Sequence, residues 1–152
     1  MSMKTLRIYL DTSVIGGCCD TEFAEASCRL IEMVKRGEVI LLISALLAEE
    51  LENAPPDVQA ILDDLPRQSL EFVSESAESR RLRDHYLAAA VVGPAHATDA
   101  HHVALATVSR ADLIVSWNFK HIVHFDKIRG FNAVNLRDGY APIAIYSPLE
   151  VV

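Results

Sequence analysis

Residues 7–17 read RIYLDTSVIGG. Ile8, Tyr9 and Leu10 have the β-branched, aromatic and apolar character of a buried strand. The run ends on a single carboxylate, Asp11, followed by the hydroxyls of Thr12 and Ser13 and then by Gly16 and Gly17. A carboxylate in that place has two readings. It serves a cap or turn, or it is a ligand waiting for a metal ion. The remainder of the chain decides between them.

Working outward, the strand Leu6–Leu10 leads through a Gly-containing turn to a helix over about Glu22–Arg36. Its Phe23, Ala26, Leu30, Ile31 and Val34 recur at helical spacing, and Gly37 sits where a helix stops. Val39–Ile43 is a continuous apolar run, as in a strand covered on both faces. Ser44 suits the cap of a helix over Ala45–Asn53, and Pro55 and Pro56 end that helix and start another over about Asp57–Leu65. Leu70–Val73 reads as a short strand. Glu75–Val92 reads as the longest helix, stopped by Gly93 and Pro94. Thr98 is expected to cap a helix over about Asp99–Ser109, before an apolar strand, Leu113–Val115. An interrupted helical region over about Lys120–Leu136 and an edge strand, Ile143–Tyr146, complete the pattern. Strands interleaved with helices predict one α/β domain over residues 1–152 with a mostly parallel sheet. Right-handed crossovers then gather the carboxyl ends of the strands on one edge, where open α/β sheets bind ligands.

Composition agrees with a packed domain and narrows its chemistry. The 152 residues are 51% hydrophobic, with a mean hydropathy of +0.19, which favours a globular chain over a disordered one. No apolar run approaches the roughly 20 residues of a membrane span. The start, MSMKTLRIYLD, has no stretch long enough for a signal peptide, so the cytoplasm is the expected location. Cys18 and Cys19 are adjacent, Cys28 stands alone, and no CxxC occurs, which reads as reduced structural thiols. The net charge of −7, from 21 acids and 14 Lys and Arg residues, argues against nucleic-acid binding through a basic surface. It is compatible with a nuclease whose acids hold divalent cations that recruit phosphate.

Four segments send a carboxylate or carboxamide to the predicted rim. Asp11 follows the first strand. Glu50 lies six residues beyond Ser44, the end of the second. Asp99 opens a helix, and Ser116 and Asn118 follow the strand Leu113–Val115. Each is unremarkable alone: Asp11 suits a turn, Glu50 has Glu49 as a rival, Asp99 suits a helix dipole, and Asn is common after strands. Together, three acids and one amide are the oxygen donors of a hard cation such as Mg²⁺ or Mn²⁺. Without a cation their mutual repulsion makes such a cluster costly.

The stretches YLDTSVIGG, ISALLAEEL, TDAHHVALA and IVSWNFKHI, in this order, resemble the successive motifs of PIN domains. The resemblance is closest to the VapC-like ribonucleases of prokaryotic toxin–antitoxin pairs and to stand-alone prokaryotic PIN proteins. It implies a three-layer α/β/α fold and a metal-dependent endoribonuclease that hydrolyses phosphodiester bonds in single-stranded or structured RNA. Asp11, Glu50 (rather than Glu49), Asp99 and Asn118 are then the catalytic and metal-holding positions, with Mg²⁺ or Mn²⁺ as cofactor. Thr12, Ser13 and Ser116 become hydroxyls that support the ligands. The fourth position of that family is often Asp, so Asn118 lowers the charge there. A homodimer and a cognate antitoxin are the partners the resemblance implies, with no membrane. The alternatives are a PIN-fold module that binds nucleic acid or protein with little cleavage, and an unrelated metal-dependent phosphatase using the same acidic rim.

Other signals are weaker. His101 with His102, and His121 with His124, raise a zinc reading, but no HExxH or closed four-ligand spacing supports it. His101 and His102 are expected to flank the site or lie on the surface of their helix. Trp117 and Phe119 suit either base stacking or anchoring of their turn, and anchoring is favoured. Arg80, Arg81 and Arg83 are candidates for phosphate contacts or a solvated helix face. Asp112, at the other end of its strand, belongs to the far edge. VIGG lacks a GxGxxG pattern, DTSV lacks the second Asp of a haloacid-dehalogenase motif, and neither GxSxG nor GK[ST] occurs.

Overall fold

The structure is a computed structural model and describes residues 4–152. Its centre is a sheet of five strands: β1 (Leu6–Leu10), β2 (Val39–Ser44), β3 (Leu70–Val73), β4 (Leu113–Val115) and β5 (Ala144–Tyr146). The spatial order is β3-β2-β1-β4-β5 and every pairing is parallel. The chain switches direction of growth at β1, so the crevice between the β1–β2 and β1–β4 crossovers opens at the carboxyl end of β1, beside Asp11.

Alternation along the strands splits the interior into two cores. Ile8, Leu10, Leu41, Ile43, Leu113 and Val115 face one layer, with α1 (Thr12–Gly17), α2 (Ala24–Lys35), α3 (Ala45–Glu52), α4 (Pro56–Asp63) and the short α8 (Pro148–Val151). Tyr9, Leu42, Ile114 and Ile145 face the other, with α5 (Ala77–Ala88), α6 (Ala97–Val108) and α7 (Phe125–Arg137). Both faces of the sheet are covered, which is why Val39–Ile43 reads as unbroken apolar sequence. The fold is the expected three-layer α/β/α arrangement, with its sheet wholly rather than mostly parallel.

Several boundaries differ from expectation. The turn after Asp11 is a helix, α1, because Gly17 lets it lie against α2. A methyl group on Gly17 would collide with Ser27 Oγ and sit 2.9 Å from Trp117 Nε1. The end of α2 is as expected: Gly37, at φ +72°, closes a pair of bonds, Gly37 N to Val34 O and Glu38 N to Met33 O. α5 stops at Ala88 instead of Val92. Ala90 takes a left-handed conformation there (φ 57°), and the chain turns so that Val91 and Val92 are buried. α6 begins at Ala97 with His96 as its cap residue, so Thr98 is inside the first turn and caps nothing. Between β4 and β5 helical structure is confined to Phe125–Arg137, because Asn118 folds residues 118–123 into a turn through bonds to the amides of His121, Ile122 and Val123. No helix among the described residues is long and apolar enough to cross a membrane.

Candidate active site

At the carboxyl edge, Asp11, Thr12, Ser13, Glu50, Asp99, His102, Trp117 and Asn118 surround one open cavity of 530 Å³. All eight arrive from the segments that follow β1, β2 and β4 or from α6, as the crossover rule requires. Asp20 and Phe23, not anticipated from sequence, complete its outer wall. A wider cleft of 650 Å³ lies at the opposite edge, around Glu78, Arg110, Asp112 and Tyr140, and gathers none of the four expected ligands. Asp112 does lie on that far edge, where it accepts the Arg7 amide at 2.8 Å and pairs with Lys4 at 2.9 Å.

Asp11 is the inner wall. It is 5% exposed, and both of its oxygens receive hydroxyl bonds, Oδ1 from Ser13 at 2.5 Å and Oδ2 from Ser116 at 2.8 Å. Each hydroxyl oxygen in turn accepts an amide: Ser13 that of Trp117 at 3.0 Å, and Ser116 that of Asn118 at 2.9 Å. The turns after β1 and β4 are thereby fastened to each other through the carboxylate. Burial pushes the Asp11 carboxyl above the usual range, and neighbouring Glu50 adds to this; Ser13, His102 and Ser116 oppose it. The described residues give it no lysine or arginine partner. A buried carboxylate held for ionisation by two donors, yet lacking a cationic side chain, fits a site that takes a divalent cation.

Glu50 forms the second wall. Ser44 caps α3, its Oγ accepting the Leu47 amide at 3.1 Å, and Glu50, in the last turn of that helix, is half-buried while Glu49 is exposed. Thr12 Oγ1 donates to Glu50 Oε2 at 2.9 Å, and His102 Nε2 lies 2.5 Å from Oε1. His102 is itself held, with Nδ1 2.6 Å from Tyr9 Oη, which lies 2.9 Å from Ser44 Oγ. Because a carboxylate only accepts, Nε2 carries a proton and donates to Glu50. The chain Ser44–Tyr9–His102–Glu50 thus ties the cap of α3 to a carboxylate of the same helix. Desolvation raises the Glu50 carboxyl, but the bond and charge of His102, aided by Thr12, outweigh it and hold the group below its usual range. Burial drives the Tyr9 phenol upward, so it stays protonated.

Asp99 is in the first turn of α6 and about one quarter exposed; its Oδ2 lies 3.4 Å from His121 Nδ1 and 3.8 Å from His96 Nδ1. Asn118 lines the cavity, but its Oδ1 accepts the His121 amide at 3.0 Å. The expected residues are therefore brought together, with Asn118 engaged in its own turn.

Sequence reading passed over His96. His102 flanks the site, the first of its two expected places, and is buried, whereas His101, also buried, faces Ser79 and Glu75 from the same helix. The available signal was the spacing His96-x-x-Asp99-x-x-His102, which puts three ligand-type side chains on neighbouring turns of one helix face. Trp117 is an anchor: its Nε1 donates to Ser27 Oγ at 2.7 Å and its ring stacks on Phe23 at 4.4 Å. Arg80 pairs with Glu75 and Arg83 with Asp84, and none of the three arginines lines the cavity. The three cysteines are free, with Cys19 and Cys28 exposed.

With this geometry the comparisons with known proteins agree. The chain belongs to the PIN domain family, whose model matches residues 7–120. Among solved structures, a chain from the crystal structure of VapBC2 from Rickettsia felis, bound to a DNA fragment from its promoter, has a TM-score of 0.58 and 15% identity. The match covers 93% of this chain and 98% of that one, and at such identity it is a likeness of fold. No curated protein matches the chain in sequence.

Proposed function

We propose that the protein is a metal-dependent endoribonuclease that hydrolyses phosphodiester bonds in RNA, working in the cytoplasm as the toxin of a toxin–antitoxin pair. The observation that carries the reading is the convergence of Asp11, Glu50 and Asp99 on one open cavity, with Asp11 buried and supplied with hydroxyl donors only. Membership of the PIN family supports nuclease chemistry, and the VapBC2 likeness in fold supports the antitoxin partner as an expectation. Mg²⁺ or Mn²⁺ bound by these acids, with Asn118 beside them, would supply an acidified water and neutralise charge on the phosphate. The protein's own part is positioning. Ser13 and Ser116 aim Asp11 and oppose the rise that burial imposes on it, and Thr12 and His102 aim Glu50 and hold it low. The apolar wall of Phe23 and Trp117 gives the open cavity a rigid side against which a base can rest.

Purified protein is expected to cleave single-stranded RNA with Mg²⁺ or Mn²⁺, to stop with EDTA, and to lose at least about a hundredfold in kcat on Asp11→Asn. Wild-type cleavage no greater than that of Asp11→Asn would refute the enzyme reading. It would favour a PIN-fold binding module, which one observation supports: the Asn118 carbonyl oxygen already accepts the His121 amide, which ties it to its own turn. The remaining amide nitrogen is a donor and cannot ligate a cation. Asn118→Asp supplies an oxygen in its place, so divalent-ion affinity measured by calorimetry is expected to rise; an unchanged affinity would assign residue 118 to the turn alone.

A further inference from the structure

A second group of ligand-type side chains adjoins the acidic cavity. Among the described residues, His96, Asp99 and His121 alone form a set of three His, Cys, Asp or Glu side chains whose ligand atoms all lie within 4.8 Å of one another. His96 stands at the start of α6 and Asp99 one turn inside it. His121 comes from the turn after β4, where the bond from its amide to Asn118 Oδ1 sets the backbone. The two imidazole rings stack with centroids 3.6 Å apart, and both direct Nδ1 towards the same carboxylate oxygen, Asp99 Oδ2.

Neither approach is a good hydrogen bond. At 3.8 Å for His96 and 3.4 Å for His121, both exceed the ordinary range of about 2.7–3.2 Å. These are instead the separations of donors around a common ion: bonds of about 2.0–2.1 Å in a tetrahedron place ligand atoms about 3.4 Å apart. All three side chains are partly exposed, so an ion reaches them from solvent.

We propose that His96, Asp99 and His121 form a binding site for a borderline divalent transition metal, of the Zn²⁺ or Co²⁺ type, distinct in donor chemistry from the all-oxygen site of Asp11 and Glu50. Two imidazoles and one carboxylate are a ligand set that Zn²⁺, Co²⁺ and Ni²⁺ favour and Mg²⁺ does not. Three protein ligands leave at least one coordination position open. Asp99 belongs to both sites, its Oδ2 serving the histidines. The zinc reading set aside on sequence spacing thus returns with a different trio, since His101, His102 and His124 take no part.

The test uses untagged, metal-free full-length protein titrated with Co²⁺, reading visible absorption for geometry and stoichiometry, with Zn²⁺ displacement for affinity. Expected is an absorption band that Zn²⁺ removes and millimolar Mg²⁺ does not. His96→Ala and His121→Ala should each weaken Co²⁺ binding by about tenfold or more, while Asp11→Asn retains it. Retention in both histidine variants with loss in Asp11→Asn would place the ion among the carboxylates and overturn the proposal. So would the absence of any Co²⁺ band. Circular dichroism of the metal-free variants controls for folding, and since both histidines are partly exposed, these spectra are expected to match the wild type. The measurement needs no RNA, so failure of the ribonuclease reading and failure of this site are separate results.

Discussion

Gly16 and Gly17 are adjacent in one helix and should respond to alanine in opposite directions. Gly17 packs where α1 meets α2, and a Cβ there collides with Ser27 Oγ and lies 2.9 Å from Trp117 Nε1 and 3.2 Å from Cδ1. Those are the partners of the buried indole bond, Trp117 Nε1 to Ser27 Oγ, at 2.7 Å. Overpacking costs about 1–3 kcal/mol, and separating a buried donor from its acceptor about 1–3 kcal/mol more. Gly-to-Ala helix propensity returns about 1 kcal/mol. The net loss centres near 3 kcal/mol, or about 6–12 °C in Tm for a domain of this size. Gly16 has nothing within 4 Å of its would-be Cβ and an ordinary helical backbone. Gly16→Ala should therefore raise Tm by about 1–4 °C, propensity acting alone. The assay is denaturant and thermal unfolding followed by circular dichroism and by emission of the sole tryptophan, Trp117, whose stacking on Phe23 reports the displacement. Ser27→Ala removes the same indole bond, so the double variant should be less destabilised than the sum of the singles, by about 1 kcal/mol or more. Gly17→Ala matching or exceeding wild-type stability would refute the packing argument.

Tyr9→Phe removes one hydroxyl and leaves His102 Nδ1 and Ser44 without their partner. The expected cost is about 1–3 kcal/mol by denaturant unfolding, with weakened divalent-ion binding as Glu50 loses its fixed orientation; no change in either would break the proposed chain. Acid stability should rest partly on Glu71 and Asp138. The hydrogen bond and charge of Arg7 hold Glu71 low, and His85 first, then Arg137, hold Asp138 low. A depressed folded-state value means the unfolded chain binds more protons, so this stability is present above the unfolded value of about 4 and is lost as pH falls through the lower folded values. Glu71→Gln should flatten that part of a stability-versus-pH curve, and an unchanged slope would assign it to other acids.

Much of the site was legible because strand order in a parallel α/β chain dictates where strand ends go. Asp11 follows β1, Glu50 lies six residues past the end of β2, and Asp99 is in the first turn of α6, so a rule about crossovers sufficed to gather them without any contact being known. The roles of Tyr9 and His102 were not legible. Tyr9 occupies an inward strand position that any apolar residue could fill, and only the approach of α6 from the far side of the sheet makes its hydroxyl a partner for His102. Helix ends were misjudged where packing overrode propensity: Ala90 accepts a left-handed backbone so that Val91 can press against Gly130. Gly17 reads from sequence as part of a turn, whereas it ends a helix whose contact leaves no room for a side chain.

By itself, then, the sequence determined the layered α/β class and the three acids of one rim, since hydrophobic period and chain order are one-dimensional properties that survive without coordinates. Tertiary structure alone decided which side chains each acid faces. Asp11 meets two serines, Glu50 a histidine held by a tyrosine, and Asp99 two further histidines. Those pairings join residues up to 105 positions apart, and a hydrogen bond depends on tenths of an ångström that no local pattern encodes.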